Sequence, residues 1–252
     1  MSQNDSFGSL RRTNAILSVL HLAQAGVMVA LTNGRSLPVT AVFGNGQPGQ
    51  PSGPLKIEQL FTYRIGWGVA LFLALSSLFH AVVASPWGFH RYQSELAASR
   101  NRFRWVEYSL SSSLMIVLIA GIVGMTDVAA LLALFGVNMS MIFFGWLMET
   151  TSPRGPEAVW TPFIFGCIAG VIPWIAVLIY LIGAGGDVPT FVYGIFVSLF
   201  VFFNCFALVQ FKQYRAKGKW VDYLRGERAY MVLSLIAKSL LAWQIFANVL
   251  TK

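Results

Sequence analysis

The chain has 252 residues, of which 56% are apolar and only 11% charged, and its mean hydropathy is +0.64. Soluble domains carry about 25% charged residues, so this composition excludes a soluble globular, disordered or nucleic-acid-binding protein despite a net charge of +8. What remains is a polytopic membrane protein; Cys167 and Cys205 both lie in apolar runs and form no CxxC or disulfide framework.

A bilayer span needs about 20 mostly apolar residues. Seven segments qualify: residues 14–31, 65–84, 105–125, 128–148, 160–183, 190–211 and 229–250. All are expected to be helical, because lipid offers no partner to an unpaired backbone group. The sequence therefore reads as an all-α membrane protein, one seven-helix domain over residues 1–252. Arg11-Arg12, an apolar stretch and Ala23-Gln24-Ala25 imitate a signal peptide, but Asn14, Ser18, His21 and Gln24 interrupt the stretch, and the first span is expected to be retained.

The longest loop, 32–60, follows. Val39, Ala41 and Phe43 alternate, Ile57 and Leu60 form a second apolar patch, and Asn45-Gly46, Pro48, Gly49, Pro51, Gly53 and Pro54 lie between. That pattern predicts a small hairpin between helices 1 and 2, with an irregular loop as the alternative. Farther along, the short links 126–127 and 184–189 make spans 3–4 and 5–6 adjacent antiparallel pairs.

Charge sets the orientation. Loops on one side hold 13 Arg and Lys, from Arg11 and Arg12 through Arg91, Arg100, Arg102, Arg104 and Arg154 to Lys212, Arg215, Lys217, Lys219, Arg225 and Arg228. The other side holds four, Arg35, Lys56, Arg64 and Lys252. The N-terminus is therefore expected in the cytoplasm, and the C-terminus and the hairpin outside.

Within the last span, Lys238 lies about ten residues, or about 15 Å, from the basic end, near the bilayer midplane. A lysine there costs at least about 2.5–3.5 kcal/mol on insertion scales, so function is the default reading. Burial suits lysine to Schiff-base formation, and the resulting cation needs an anion. Asp127, Asp187, Glu149 and Glu227 sit at span ends; Glu107 is placed just inside the third span. Glu107 also shares a face with Arg104 three residues earlier, which allows a plain interfacial ion pair instead. Counted from the basic loop, Glu107 is shallower than Lys238 by about 8–10 Å, so either the third helix enters the membrane later than residue 105 or water bridges the pair. His21, Gln24, Ser76 and His80, at the same end, suggest a hydrated polar cavity. His21, His80 and Glu107 could together ligate zinc, but no spacing motif supports a metal site.

The stretches RWVEYSLSSSLMIVLIAGI (104–122), ALFGVNMSMIFFGWL (133–147), FGCIAGVIPWI (165–175) and RGERAYMVLSLIAKSLLAWQIF (225–246) resemble the heliorhodopsins, and the similarity spans essentially the whole chain. The inverted topology read from charge is likewise a hallmark of that family. The resemblance implies a seven-helix rhodopsin bundle with all-trans retinal on Lys238, Glu107 as counterion and Ser234, one turn earlier, as hydrogen-bond partner of the linkage. It places His21, Gln24, Ser76 and His80 around a cavity beside the linkage. The polyene would lie among Ser112, Met115, Ile116, Asn138, Met141, Gly145, Trp174, Phe200, Phe203 and Phe206.

The resemblance further implies a homodimer, to which Gly166-x-x-x-Gly170 could contribute, although that motif equally serves packing within one chain. A light sensor that signals to a cytoplasmic partner is expected, with a light-driven ion pump or channel as the alternative; no enzymatic activity and no nucleic-acid partner are expected. Pumping is disfavoured because the third-span series Glu107, Ser111, Leu118 puts leucine eleven residues after the carboxylate, where proton-pumping rhodopsins carry a second one.

Overall fold

A computed structural model describes residues 3–44, 46, 53, 55–185 and 188–250. Among these, seven helices are long and apolar enough to cross a membrane. In chain order the elements are α1 (Gln3–Leu31), β1 (Ser36–Phe43), β2 (Lys56–Arg64), α2 (Ile65–Ala84), α3 (Pro86–Ala97), α4 (Arg102–Ile122), α5 (Val128–Thr151), α6 (Thr161–Gly183), α7 (Thr190–Arg215) and α8 (Tyr223–Ile245). A short 3₁₀ turn, Gly218–Val221, precedes α8, and one wider turn, Phe246–Leu250, prolongs it.

Hydropathy located every span, but the ends differ because capping and amphipathic extension set them. The first helix begins at Gln3, not residue 14, since Phe7 and Leu10 bury against Val83, Tyr92 and Leu96. The third begins at Arg102 and ends at Ile122, not 105–125: Asn101 caps it by accepting from Arg104 N, and Gly124 turns the chain with φ 97°. Asp127 caps α5 through Ala130 N, and that helix runs to Thr151. The sixth span continues to Arg215 before Ala216 adopts a left-handed φ of 45°. The last starts at Tyr223, capped by Asp222, six residues before the expected boundary.

Helix α3 was not anticipated. Its sequence, PWGFHRYQSELA, is polar on average, so hydropathy passes over it, yet Pro86 suits a first helical position, Ser85 caps Gly88 N, and Tyr92 and Leu96 are buried.

The hairpin forms as expected: β1 and β2 pair antiparallel from Ser36↔Arg64 to Phe43↔Lys56, with an irregularity between Val39 and Thr40. Val39 and Ala41 face inward, whereas Phe43 is exposed. Thr40 N donates to Thr126 O (2.8 Å), which ties the hairpin over the α4–α5 link. The turn residues Asn45, Pro48, Gly49, Pro51 and Pro54, and also Asp187 and Lys252, lie outside the described residues.

The bundle is built around α4, whose most apolar stretch is 61% buried against 22–39% in the other spans. Helices α4 and α5 pack closely, as their short link requires. By contrast, the backbones of α6 and α7 stay apart. They meet through Trp174 against Phe196, Phe200 and Phe203 and through Trp160 and Phe163 against Phe211. Gly166 and Gly170 serve packing inside the chain: a Cβ at Gly170 would lie 2.6 Å from Met141 Sδ on α5. The hairpin lies at one end of the bundle; the opposite, basic end carries α3 and the arginine-rich connections.

Candidate functional site

Two buried polar centres lie on α4, one turn apart. Nearer the middle of the bundle, Lys238 Nζ of α8 donates to Glu107 Oε1 of α4 (2.6 Å) and to Ser234 Oγ (2.9 Å), and both charged side chains are about 5% exposed or less. The expected depth mismatch is closed by a direct contact that needs no bridging water. Helix α4 starts earlier than residue 105, and the contact is direct. Lys238 folds back one turn along α8 to the level of Ser234, as side chains that tilt toward the helix N-terminus do. Ser76 Oγ of α2 also donates to Glu107 Oε1 (2.6 Å), and the Tyr108 ring stands 5.2 Å from Lys238 Nζ.

The remaining polar candidates gather on the α1–α2 side. His21 and His80 stack with ring centroids 5.7 Å apart, and His80 Nδ1 pairs with Asn14 Oδ1 (2.7 Å). His21 Nδ1 and Nε2, Gln24 Oε1 and Ser111 Oγ are buried without a hydrogen-bond partner, so polar capacity is available beside the lysine–glutamate pair. A small cavity of about 40 Å³ runs from Glu107 past His80, Asn14 and Tyr230 to Glu227; it is roomy enough for water. Tyr92 of α3 closes it from the basic end, and burial pushes its phenol up to about 12, which keeps it a proton donor. Among the described residues no three His, Cys, Asp or Glu side chains group to hold a metal.

The second centre is at the basic end. Arg104 pairs with Glu149 Oε1 of α5 (2.6 Å) and with Glu227 of α8 rather than with Glu107. Glu149 is saturated: Tyr223 Oη and Arg104 donate to Oε1, and Trp105 Nε1 (2.6 Å) and Asn101 N (2.7 Å) donate to Oε2. Asn101 Nδ2 donates to Glu227 Oε2 (2.7 Å). Sequence reasoning noted these carboxylates only as span-end charges. Their shared distance from the basic end as Arg104 was the available signal.

From Lys238 Nζ an apolar cavity of about 300 Å³ extends between α4, α5, α6 and α7. Of the expected lining, Ser112, Met115, Met141, Gly145, Trp174, Phe200, Phe203, Phe206 and Ser234 border it, while Ile116 and Asn138 do not. Ile116 is turned into the apolar core, and Asn138 donates to Ser112 and Ser113 Oγ behind the wall. Sequence reasoning missed Trp105, Tyr108, Gln210 and Tyr230. Tyr230 stands eight residues, and Ser234 four, before Lys238 on one helix face, a spacing that could have marked it.

A bundle of seven apolar helices around an internal lysine–carboxylate pair at the head of an aromatic slot defines the class of the microbial rhodopsins. The solved structures agree on the fold. Cyanorhodopsin from the cyanobacterium Tolypothrix sp. NIES-4075 superposes with a TM-score of 0.65 at 11% identity, over 100% of this chain and 96% of that one. The light-driven proton pump LR (Mac) from Leptosphaeria maculans gives 0.56 at 12% identity, over 95% and 94%. Within that class, residues 10–250 match the heliorhodopsin family, and the chain belongs to it. No curated protein sequence matches the chain. Membership makes this a multi-pass, retinal-binding, light-responsive membrane protein of a family that is not a classical enzyme family. The cavity fits that ligand: it is apolar and aromatic-walled, and a buried primary amine lines it.

Proposed function

We propose that this chain is a photoreceptor that carries all-trans retinal in Schiff-base linkage to Lys238 and uses light for sensing without transporting ions. The observation that carries the reading is the 2.6 Å contact of Glu107 with Lys238, which lines the apolar cavity. When bound, retinal supplies the absorption of visible light and the isomerisation that light drives. Lys238 provides the attachment, Glu107 balances the positive charge at its nitrogen, and Ser234 and Ser76 orient the two. The aromatic wall of Trp174, Phe200, Phe203 and Phe206 keeps the ligand in one slot.

A proton leaving Lys238 Nζ finds buried polar groups toward the basic end, through Glu107, His80 and the small cavity. Toward the hairpin, Met115, Ile116, Leu118, Ile119 and Ala120 of α4 are packed into an apolar core. The proton therefore returns by the way it left, which favours sensing over pumping. The 13-to-4 charge asymmetry supports a cytoplasmic N-terminus. A homodimer, a cytoplasmic signalling partner and a single retinal-binding domain over residues 1–252 belong to the same reading and rest on the family resemblance.

The test is reconstitution with retinal. The wild-type protein should become coloured, and Lys238→Ala should be folded and colourless. A Lys238→Ala pigment that resists hydroxylamine in the dark as the wild type does would overturn the assignment.

A further inference from the structure

We propose that Trp105 is the positioning residue that transmits a change in the retinal cavity to the basic-end surface, through Glu149, to the connector between α3 and α4. The proposal rests on the photoreceptor reading above and names the output of that site.

Trp105 belongs to both centres at once. Its ring forms part of the cavity wall. Its outer edge lies against Gly145, where an added Cβ would come within 2.6 Å of the ring, so the ring has no free space on the α5 side. At the opposite edge of the ring the indole Nε1 donates to Glu149 Oε2 (2.6 Å), one turn farther along α5, and Arg104 lies over its ring at 4.6 Å. A wall residue fixed at one edge by backbone contact and at the other by a charge-assisted hydrogen bond cannot yield to a reshaped ligand without disturbing that bond.

Glu149 passes the disturbance on. The oxygen that accepts from Trp105 also accepts from Asn101 N (2.7 Å), and the other oxygen accepts from Tyr223 Oη (2.8 Å) in the first turn of α8. One carboxylate thus ties the cavity wall to the start of α4 and the start of α8. Asn101 is itself the cap of α4 and reaches Glu227 through its amide.

The connector is built to respond. Ser99 adopts a left-handed φ of 55° just past the C-cap of α3, where Ser99 N donates to Leu96 O (3.0 Å) and Arg100 N to Glu95 O (2.9 Å). Asn101, two residues on, is the buried anchor, while Arg100 and Arg102 beside it are exposed. Release of Asn101 N from Glu149 frees the residue that anchors the connector just after this turn. The two arginines then move relative to the bundle, which alters the charge pattern offered to the cytoplasm.

The experiment uses the full-length, retinal-loaded protein with Cys167→Ala, Cys205→Ala and Arg100→Cys, the last carrying a nitroxide. Spin-label mobility is recorded in the dark and under illumination, and each change is divided by the photoconverted fraction read from the visible spectrum. The wild-type background should show a light-dependent mobility change at position 100 and none for a label at Ser36→Cys on the hairpin. Trp105→Phe, which keeps a ring but loses the indole donor, and Glu149→Gln should each reduce the normalised change at least fivefold. A full normalised response in Trp105→Phe overturns the proposal, as does photoconversion of the wild type without any response at position 100. If the unsubstituted protein forms no visible pigment, the photoreceptor reading fails and the proposal with it, an outcome the spectrum identifies separately.

Discussion

Replacing the buried Arg104 with methionine should cost this protein far more stability than replacing an exposed arginine nearby. The guanidinium is 4% exposed and serves two carboxylates, Glu149 and Glu227, each 1% exposed. Removing one partner of a buried ion pair leaves an uncompensated charge and costs about 3–5 kcal/mol. Here two carboxylates are orphaned by one substitution, and the stacking of Arg104 over Trp105 (4.6 Å) and Tyr230 (4.2 Å) is lost as well. For a chain of this length each kcal/mol moves the melting temperature by roughly 2–4 °C, so Arg104→Met should melt about 6–20 °C lower.

The assay is thermal unfolding of the retinal-free protein in detergent at neutral pH. Two comparisons give it discrimination. Arg102 and Glu95 form an ion pair in which the arginine is 67% exposed, and Arg102→Met should cost no more than about 1 kcal/mol. Combining Arg104→Met with Glu227→Gln removes one of the orphaned charges, so the double variant should be more stable than the sum of the two single effects predicts, by about 1–3 kcal/mol. The reasoning is refuted if Arg104→Met melts within about 2 °C of the wild type, or if the two substitutions add to within about 0.5 kcal/mol.

Three further outcomes are expected. Glu107→Gln removes the carboxylate 2.6 Å from Lys238 Nζ and should move the visible absorption to the red; an unchanged spectrum would assign the counter-charge to another anion. Cells expressing the protein in unbuffered salt should show no sustained light-driven pH change that a protonophore abolishes, because Leu118 is packed against Gly68 in the apolar half of α4. Gly145→Ala should lower stability by about 1–3 kcal/mol through overpacking against the pinned Trp105 ring and should shift the absorption maximum, both readable from one melting and one spectral measurement.

The class of fold and the lysine–carboxylate pair were legible in the chain itself. Span count follows from hydropathy, because lipid forbids any long apolar segment that leaves backbone groups unpaired. Lys238 and Glu107 announce themselves because a charge inside such a segment is expensive, and the hairpin because its apolar residues alternate. These are local properties, readable from neighbours in sequence.

Tertiary structure alone decided what depends on the relative rotation and height of the helices. Lys238 meets Glu107 directly because the lysine folds back to Ser234 and packing sets the relative height of α4 and α8, and neither the side-chain direction nor the helix offset is encoded in spacing. Ile116 and Asn138 turn out of the cavity, and Trp105 and Tyr230 turn into it, through the rotation of α4, α5 and α8 about their own axes. A few tens of degrees, which hydropathy does not resolve in helices apolar on nearly every side, are enough to do so. The Arg104–Glu149–Glu227 centre joins residues 45 and 123 positions apart, and helix α3 owes its existence to burial of Tyr92 and Leu96 against the extended start of α1. Such contacts arise only when separate segments are brought to one depth, and that is a property of the packed bundle, not of any one of its helices.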